Sequence, residues 1–320
     1  MKIIFMGTPD FAAVSLAALL GSRGREAGFE VAAVLTQADK PKGRGHKLAP
    51  PPVKEVALEH GIPVYQPDTL RKNDELFQTL ASLEADVIVV VAYGKILPER
   101  FLKLPRFGAV NIHASLLPKY RGAGPIQWAV IDGEEVTGIT SMQMGKGIDT
   151  GDMLVKRELA IGADETAGEL WDRLAGLGAE VLEETLRKLE AGSLTPQPQR
   201  EEDATYAPML TKETGKIDWT KSAGEIHNLV RGTNPWPYAW TLYQGEAVKI
   251  RRTVCCLEKQ SAKAVPGQIL SIDKGKGMLV QTGEGCLYVT EAQFANSKPM
   301  SVDAYVLGHA IEIGTVLKGE

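Results

Sequence analysis

Strand and helix signals alternate from Lys2 to Ala191, and this alternation constrains the fold more than any other feature of the 320-residue chain. Lys2–Met6 reads as a buried strand, with Thr8 as N-cap, Pro9 at the first helical position and Asp10 in the first turn of a helix ending near Leu20. Strands follow at Phe29–Thr36, Ile62–Tyr65, Asp86–Ala92 and Gly108–His113, and helices at Pro52–His60, Asn73–Leu83 and Ile126–Ile131. Gly138–Met144 and Met153–Glu158 form a hairpin-like pair. Glu165–Ala191 is a long helix whose stripe of Leu170, Leu174, Leu177, Val181, Leu182, Leu186 and Leu189 faces a core. Strands separated by helices predict an α/β fold, a Rossmann-like doubly wound and mostly parallel sheet covered on both faces.

The pattern then changes. Ser193–Pro208 carries Pro196, Pro198, Pro208 and the acidic run Glu201-Glu202-Asp203, a composition suited to an exposed linker. The expected division is therefore residues 1–192, a linker at 193–208 and a second domain at 209–320. That second part shows a helix around Ala223–Val230 and short strands at Trp240–Leu242, Ala247–Thr253, Gly267–Ile272, Gly277–Gln281 and Cys286–Ala292. Five short strands with Gly-rich turns predict a small OB-like β-barrel, an architecture that often carries nucleic acid.

No apolar run approaches the roughly 20 residues of a membrane span, so no membrane contact is expected. The chain opens directly on a strand signal, which makes the cytoplasm the expected compartment. Net charge is −4, which excludes nonspecific coating of nucleic acid, although Ala207–Glu320 carries 13 Lys and Arg against 11 Asp and Glu. Cys255, Cys256 and Cys286 form neither a disulfide framework nor a metal-ligand spacing and read as strand residues.

Gly7-Thr8-Pro9-Asp10-Phe11 stands where a dinucleotide fold places GxGxxG, but it has one glycine and a proline that removes an amide donor, which argues against a nicotinamide or flavin enzyme. Asn111 and His113 share one face at the carboxyl end of a strand, where open parallel sheets bind ligands. An amide donor beside an imidazole suits acyl transfer; a structural pair satisfying backbone groups suits the same pattern. Two irregular loops follow, Ser115–Pro125 and Gly145–Asp152, the second offering Asp149 and Asp152 as equivalent carboxylates. Lys40–Lys47 is a short basic segment in which Lys42, Arg44 and Lys47 could meet phosphates or simply be solvated. Trp236 between two prolines reads as a rigid packing feature, and His227 as a helix-surface or interface residue.

With these residues in view, the chain resembles the methionyl-tRNA formyltransferase family over essentially its whole length. The matching pieces are Gly7-Thr8-Pro9 with Phe11-Ala12, Gly43-Arg44-Gly45, Ala92-Tyr93-Gly94-Lys95-Ile96-Leu97-Pro98, Asn111-Ile112-His113-Ala114-Ser115-Leu116-Leu117-Pro118 with Tyr120-Arg121-Gly122, Asp149-Thr150-Gly151-Asp152 and Asn234-Pro235-Trp236-Pro237. The Asn-x-His, Ser-Leu-Leu-Pro and Asp-x-Gly-Asp set marks folate-dependent formyltransferases in general; the basic loop and second domain direct the resemblance to an RNA acceptor.

The resemblance implies Asn111, His113 and Asp149 as the catalytic trio, choosing Asp149 over Asp152. It implies Ser115, Leu116, Leu117 and Pro118 as the folate-binding stretch, with the backbone of Ala92, Tyr93 and Gly94 on the pterin side. Lys42, Arg44 and Lys47 are implied as tRNA contacts. The expected reaction moves the formyl group of 10-formyltetrahydrofolate to the α-amine of initiator methionyl-tRNA for translation initiation, without a metal and in a protein expected to be a monomer.

Overall fold

The computed structural model describes residues 1–42, 47–256 and 264–319. They divide into two packing units, each assembled from separate stretches of chain. The first comprises Met1–Gly122, Val136–Ala160 and Trp171–Ala207; the second comprises Ala123–Glu135, Ile161–Leu170 and Pro208–Glu320.

The first unit is built on a sheet of seven strands, β1 (Lys2–Gly7), β2 (Glu30–Leu35), β3 (Val64–Tyr65), β4 (Val87–Val91), β5 (Ala109–His113), β6 (Val136–Gln143) and β7 (Met153–Ala160). Their spatial order is β7-β6-β5-β4-β1-β2-β3. The pairs from β3 to β5 are parallel, and β6 and β7 run antiparallel at one edge. Every residue of β4, Val-Ile-Val-Val-Val, is buried, as expected of a central strand covered on both faces. Ile4, Met6, Ile88, Val90 and Ala109 contribute to one core cluster, and period two carries that face onward to Asn111 and His113. On the other face Phe11 meets Trp171 edge to face, and Ile112 lies within contact of the position a side chain at Gly178 would take.

The first helix is Asp10–Leu20, one residue later than expected: Pro9 is its N-cap without a side-chain cap. Thr8 is not a cap, because its Oγ1 donates to Tyr93 O instead, tying β1 to the loop after β4. Ser193–Pro208, expected as an exposed linker, differs from that picture in its bonding. Gln197 and Met153 exchange backbone hydrogen bonds at 2.9 Å, and Tyr206–Ala207 pairs parallel with Arg121–Gly122. Its prolines and acids occupy the surface while its backbone is engaged.

The second unit contains a sheet ordered β8-β9-β12-β11-β10, from β8 (Ala239–Tyr243), β9 (Glu246–Cys256), β10 (Ile269–Asp273), β11 (Gly277–Gln281) and β12 (Cys286–Gln293), each neighbouring pair antiparallel. The last residues close the two outer strands: Leu242 and Lys318 exchange backbone bonds, Ile269 donates to Thr315 O, and Leu317 donates to Gly267 O. Helix Ala223–Gly232 begins in a capping box between Ser222 and Glu225 and buries Ile226 and Val230 in the core of this unit. Helix Pro125–Ile131 packs against it. Of the two readings of His227, helix surface or interface, burial excludes the first, with Nδ1 3.0 Å from Thr253 Oγ1, and Trp236 is 55% exposed rather than packed. The three cysteines lie on β9 and β12, as expected of strand residues.

Candidate active site

The carboxyl end of β5 presents Asn111 and His113 on one side, and the loop after β6 brings Asp149 to both. Asn111 Nδ2 donates to Asp149 Oδ1 at 3.4 Å, and His113 Nδ1 lies 3.6 Å from Asp149 Oδ2. His113 and Asp149 side chains are 6% and 15% exposed, so the cluster is shielded but reachable. His113 Nε2 lies 2.9 Å from Tyr120 O; facing a carbonyl, that nitrogen carries a proton and leaves Nδ1 as the nitrogen turned to the carboxylate. The orientation of Asn111 is fixed in the same way, because a carboxylate accepts only from the NH2 end of the amide. One Nδ2 hydrogen is then left for another acceptor.

A second donor reaches Asp149 from the backbone: Gly122 N–H to Oδ2 at 2.9 Å. Gly122 sits at φ +113°, and a Cβ there would stand 2.7 Å from Ala207 O, so only glycine allows this approach. Asp149 itself holds φ +53°. Asp152, its rival in the sequence, is an exposed residue whose backbone carbonyl accepts from Gln143, and it is not drawn to Asn111 or His113.

The stretch implied to bind folate is braced from below. Ser115 Oγ donates to Lys119 O at 2.6 Å, Leu117 N donates to Thr140 Oγ1, and Thr140 Oγ1 donates to Ser115 O. Ser115 and Leu117 are fully buried, so Leu116 and Pro118, both partly exposed, offer the side-chain surface here. Lys156 Nζ donates to Leu117 O, and burial pushes its pKa down. Ala92 (φ +44°) and Gly94 (φ +73°) turn the chain sharply after β4. Between them the Tyr93 ring enters the core, where burial pushes the phenol up to about 12, and only its backbone faces the loops. Tyr93 O accepts from Thr8 Oγ1 and Gln37 Nε2.

Arg44 lies outside the described residues, and of Lys42 and Lys47 only the backbone is described, as the ends of a two-stranded ribbon. Among the described residues no group of His, Cys, Asp and Glu could hold a metal ion, and no helix is long and apolar enough to cross a membrane.

Sequence reasoning missed Gln199, Thr140 and Lys156 as parts of this region. Gln199 donates to the carbonyls of Asp149 and Gly151 from a segment read as a linker. Arg121, quoted only as part of a motif, is 1% exposed and bonds Gln199 and Glu201. Burial would lower its pKa, but Glu201 and then Tyr206 outweigh it and raise it.

Comparison with known proteins matches residues 1–186 to the family described as Formyl transferase and residues 209–310 to Formyl transferase, C-terminal domain. The methionyl-tRNA formyltransferase of Acetivibrio thermocellus is 53% identical over 317 residues, covering 99% of each chain. That of Clostridium perfringens is 51% identical over 318 residues, covering 99% of this chain and 100% of its own. Among solved structures, the sugar 3N-formyl transferase WlaRD, in the presence of dTDP and 5-N-formyl-THF, superposes with TM-score 0.64 at 18% identity over 93% of this chain and 99% of that one. HypX from Aquifex aeolicus in complex with tetrahydrofolic acid gives 0.62 at 18% identity, with 98% of this chain covering 50% of that one. These two likenesses bear on the fold.

Proposed function

The chain belongs to the folate-dependent formyltransferases, and within them to the methionyl-tRNA formyltransferase family, and we propose that Asn111, His113 and Asp149 carry its transfer chemistry. The protein transfers the formyl group of 10-formyltetrahydrofolate to the α-amine of methionine on initiator methionyl-tRNA, the step that prepares this tRNA for translation initiation. The observation that carries the site assignment is the convergence of Asn111, His113 and Gly122 N–H on the Asp149 carboxylate.

An α-amine with a reference pKa of about 7.7–8.0 is partly neutral at cellular pH, so the enzyme supplies geometry and charge stabilisation rather than a strong base. As the amine nitrogen bonds to the formyl carbon, the carbonyl oxygen becomes an oxyanion. The remaining Nδ2 hydrogen of Asn111 is the donor available to it. With Nε2–H pinned to Tyr120 O, His113 takes up at Nδ1 the proton the amine loses, and the imidazolium so formed stabilises the same charge and passes that proton on. Asp149 orients the imidazole and helps move the proton lost by the amine towards the folate nitrogen that leaves. The 3.6 Å between His113 and Asp149 is long for a hydrogen bond, and such contacts tighten when substrate closes the site.

Leu116, Pro118 and the backbone of Ala92–Gly94 line the side that receives the folate, with Ser115 and Leu117 holding that wall. Lys42, Arg44 and Lys47 contact the acceptor end of the tRNA, and the antiparallel second unit binds the same RNA. The protein works as a monomer in the cytoplasm, and its two halves act as a catalytic part at 1–192 and a tRNA-binding part at 209–320.

Transfer of labelled formyl from 10-formyltetrahydrofolate tests the reading, with methionyl initiator tRNA, methionyl elongator tRNA and methionine amide as acceptors. Strong transfer to the initiator alone is expected. Release of formate with no acceptor labelled would overturn it.

A further inference from the structure

Two loops build the candidate site, 114–122 and 145–152, and Gln199 joins them. Its Nε2 donates to Asp149 O at 2.8 Å and Gly151 O at 2.7 Å, and its Oε1 accepts from Arg121 Nε at 3.0 Å. The amide satisfies its neighbours in this orientation only: turned over, its oxygen would face two carbonyl oxygens and its NH2 a guanidinium. Arg121 is buried and gives NH1 to Glu201 Oε2 at 2.8 Å, so the partner of Gln199 is itself held. The residue after Arg121 is Gly122, which donates to the Asp149 carboxylate.

Asp149 at φ +53° has a left-handed backbone, a region that residues other than glycine enter sparingly. Such a conformation persists where its surroundings over-determine it. The two bonds from Gln199 fall on the carbonyl of the strained residue and on the carbonyl two residues later. At Gly151 the packing leaves no freedom either, since a Cβ there would stand 1.6 Å from Gln143 O.

We propose that Gln199 is a positioning residue for formyl transfer: its amide locks the left-handed turn that aims the Asp149 carboxylate at Asn111 and His113, and Arg121 locks Gln199. The inference rests on Asp149 being the working carboxylate. Gln199 touches no reacting atom, so its loss lowers turnover and leaves binding of the formyl donor nearly intact.

The test is steady-state formylation of methionyl initiator tRNA by the full-length chain, with 10-formyltetrahydrofolate varied. Gln199→Glu keeps the acceptor for Arg121 and replaces both donated bonds by oxygen–oxygen repulsion; Gln199→Met keeps the volume and loses every bond. Each is expected to lower kcat by about 10–100-fold with KM for the folate within about threefold of wild type. In an Asp149→Asn background, adding Gln199→Glu should cost less than about threefold more, because the group it aims is already disabled. Thermal unfolding checks that each variant is folded, and should one Gln199 variant fail to fold the other carries the comparison. Wild-type kcat in the folded Gln199 variants, a rise in KM alone, or full additivity with Asp149→Asn would overturn the clamp. Undiminished kcat in Asp149→Asn alone would overturn the reading of Asp149 and the clamp with it, a failure recognisable because it appears without any change at Gln199.

Discussion

An amide, an imidazole and a carboxylate, the first two within 3.6 Å of the third, would in the proposed roles be worth more in a transition state than in a resting enzyme, because two of them would answer charge that develops only as the formyl group moves. Asn111→Ala and His113→Ala are each expected to lower kcat by about 100-fold or more while the far-ultraviolet circular dichroism stays that of wild type. A near-normal rate in Asn111→Ala would remove its oxyanion role. Tyr93 supplies a prediction about pH. Its phenol is pushed from 10.0 to about 12 by burial, and its hydroxyl has no hydrogen-bond partner among the described residues. Between about pH 10 and 12 the unfolded chain releases this proton and the folded chain keeps it, so stability falls as pH rises through that window, by about 1.4 kcal/mol per unit. Denaturant midpoints measured from pH 9 to 12 should therefore fall less steeply in Tyr93→Phe than in wild type. At this scale the sequence was informative where spacing carries meaning: period two placed Asn111 and His113 together, and the resemblance selected Asp149. It was silent on Gln199, because the 50 residues between Gln199 and Asp149 leave no local pattern for a contact made only by folding.

Single elements were legible to within a residue or two where one force dominates. The strand expected at Asp86–Ala92 is Val87–Val91, as its β-branched run dictates, and the helix expected at Asn73–Leu83 is Asp74–Ser82, with Asn73 outside it as an N-cap whose side chain accepts Leu76 N–H. The departures from expectation fall where one residue or stretch serves two roles. Thr8 has the chemistry of a cap and is used to tether Tyr93 O; the 193–208 stretch has the composition of a linker and the bonding of a strap. The closing segment of the second unit was also invisible, since Thr315–Lys318 pairs through isolated bridges to Leu242 and Gln268, far away in the chain. Its role gives a prediction: stopping the chain after Ile313 removes the backbone bonds to Leu242, Gly267 and Ile269 and takes Leu317, 3% exposed, out of the core. Loss of one buried leucine alone costs about 2–5 kcal/mol. Urea unfolding of the shortened chain should show at least that loss, and an unchanged midpoint would mean that the outer strands do not depend on this closure.

For the whole molecule, a net charge of −4 means that attraction to RNA has to come from local groups rather than from the summed field. Arg44→Ala is accordingly expected to weaken tRNA binding and to reduce the slope of log affinity against log salt by about 0.7–0.9, the share of one phosphate contact. An unchanged slope measured by filter binding would show that this side chain meets no phosphate. The order of domains was readable from composition, but the interleaving of the two packing units was not, because nothing in Ala123–Glu135 or Ile161–Leu170 marks these stretches as belonging with Pro208–Glu320. That interleaving sets a timetable. Ile126, Ala129 and Val130 leave the ribosome long before helix Ala223–Gly232, against which their own helix packs. At about 5–20 residues per second the roughly 100 residues from the end of their helix to the end of the second take on the order of 5–20 s to emerge. For that interval a nascent copy carries an uncovered apolar helix, so an enzyme that readies the first residue of new proteins cannot cover its own core until most of its chain has been added.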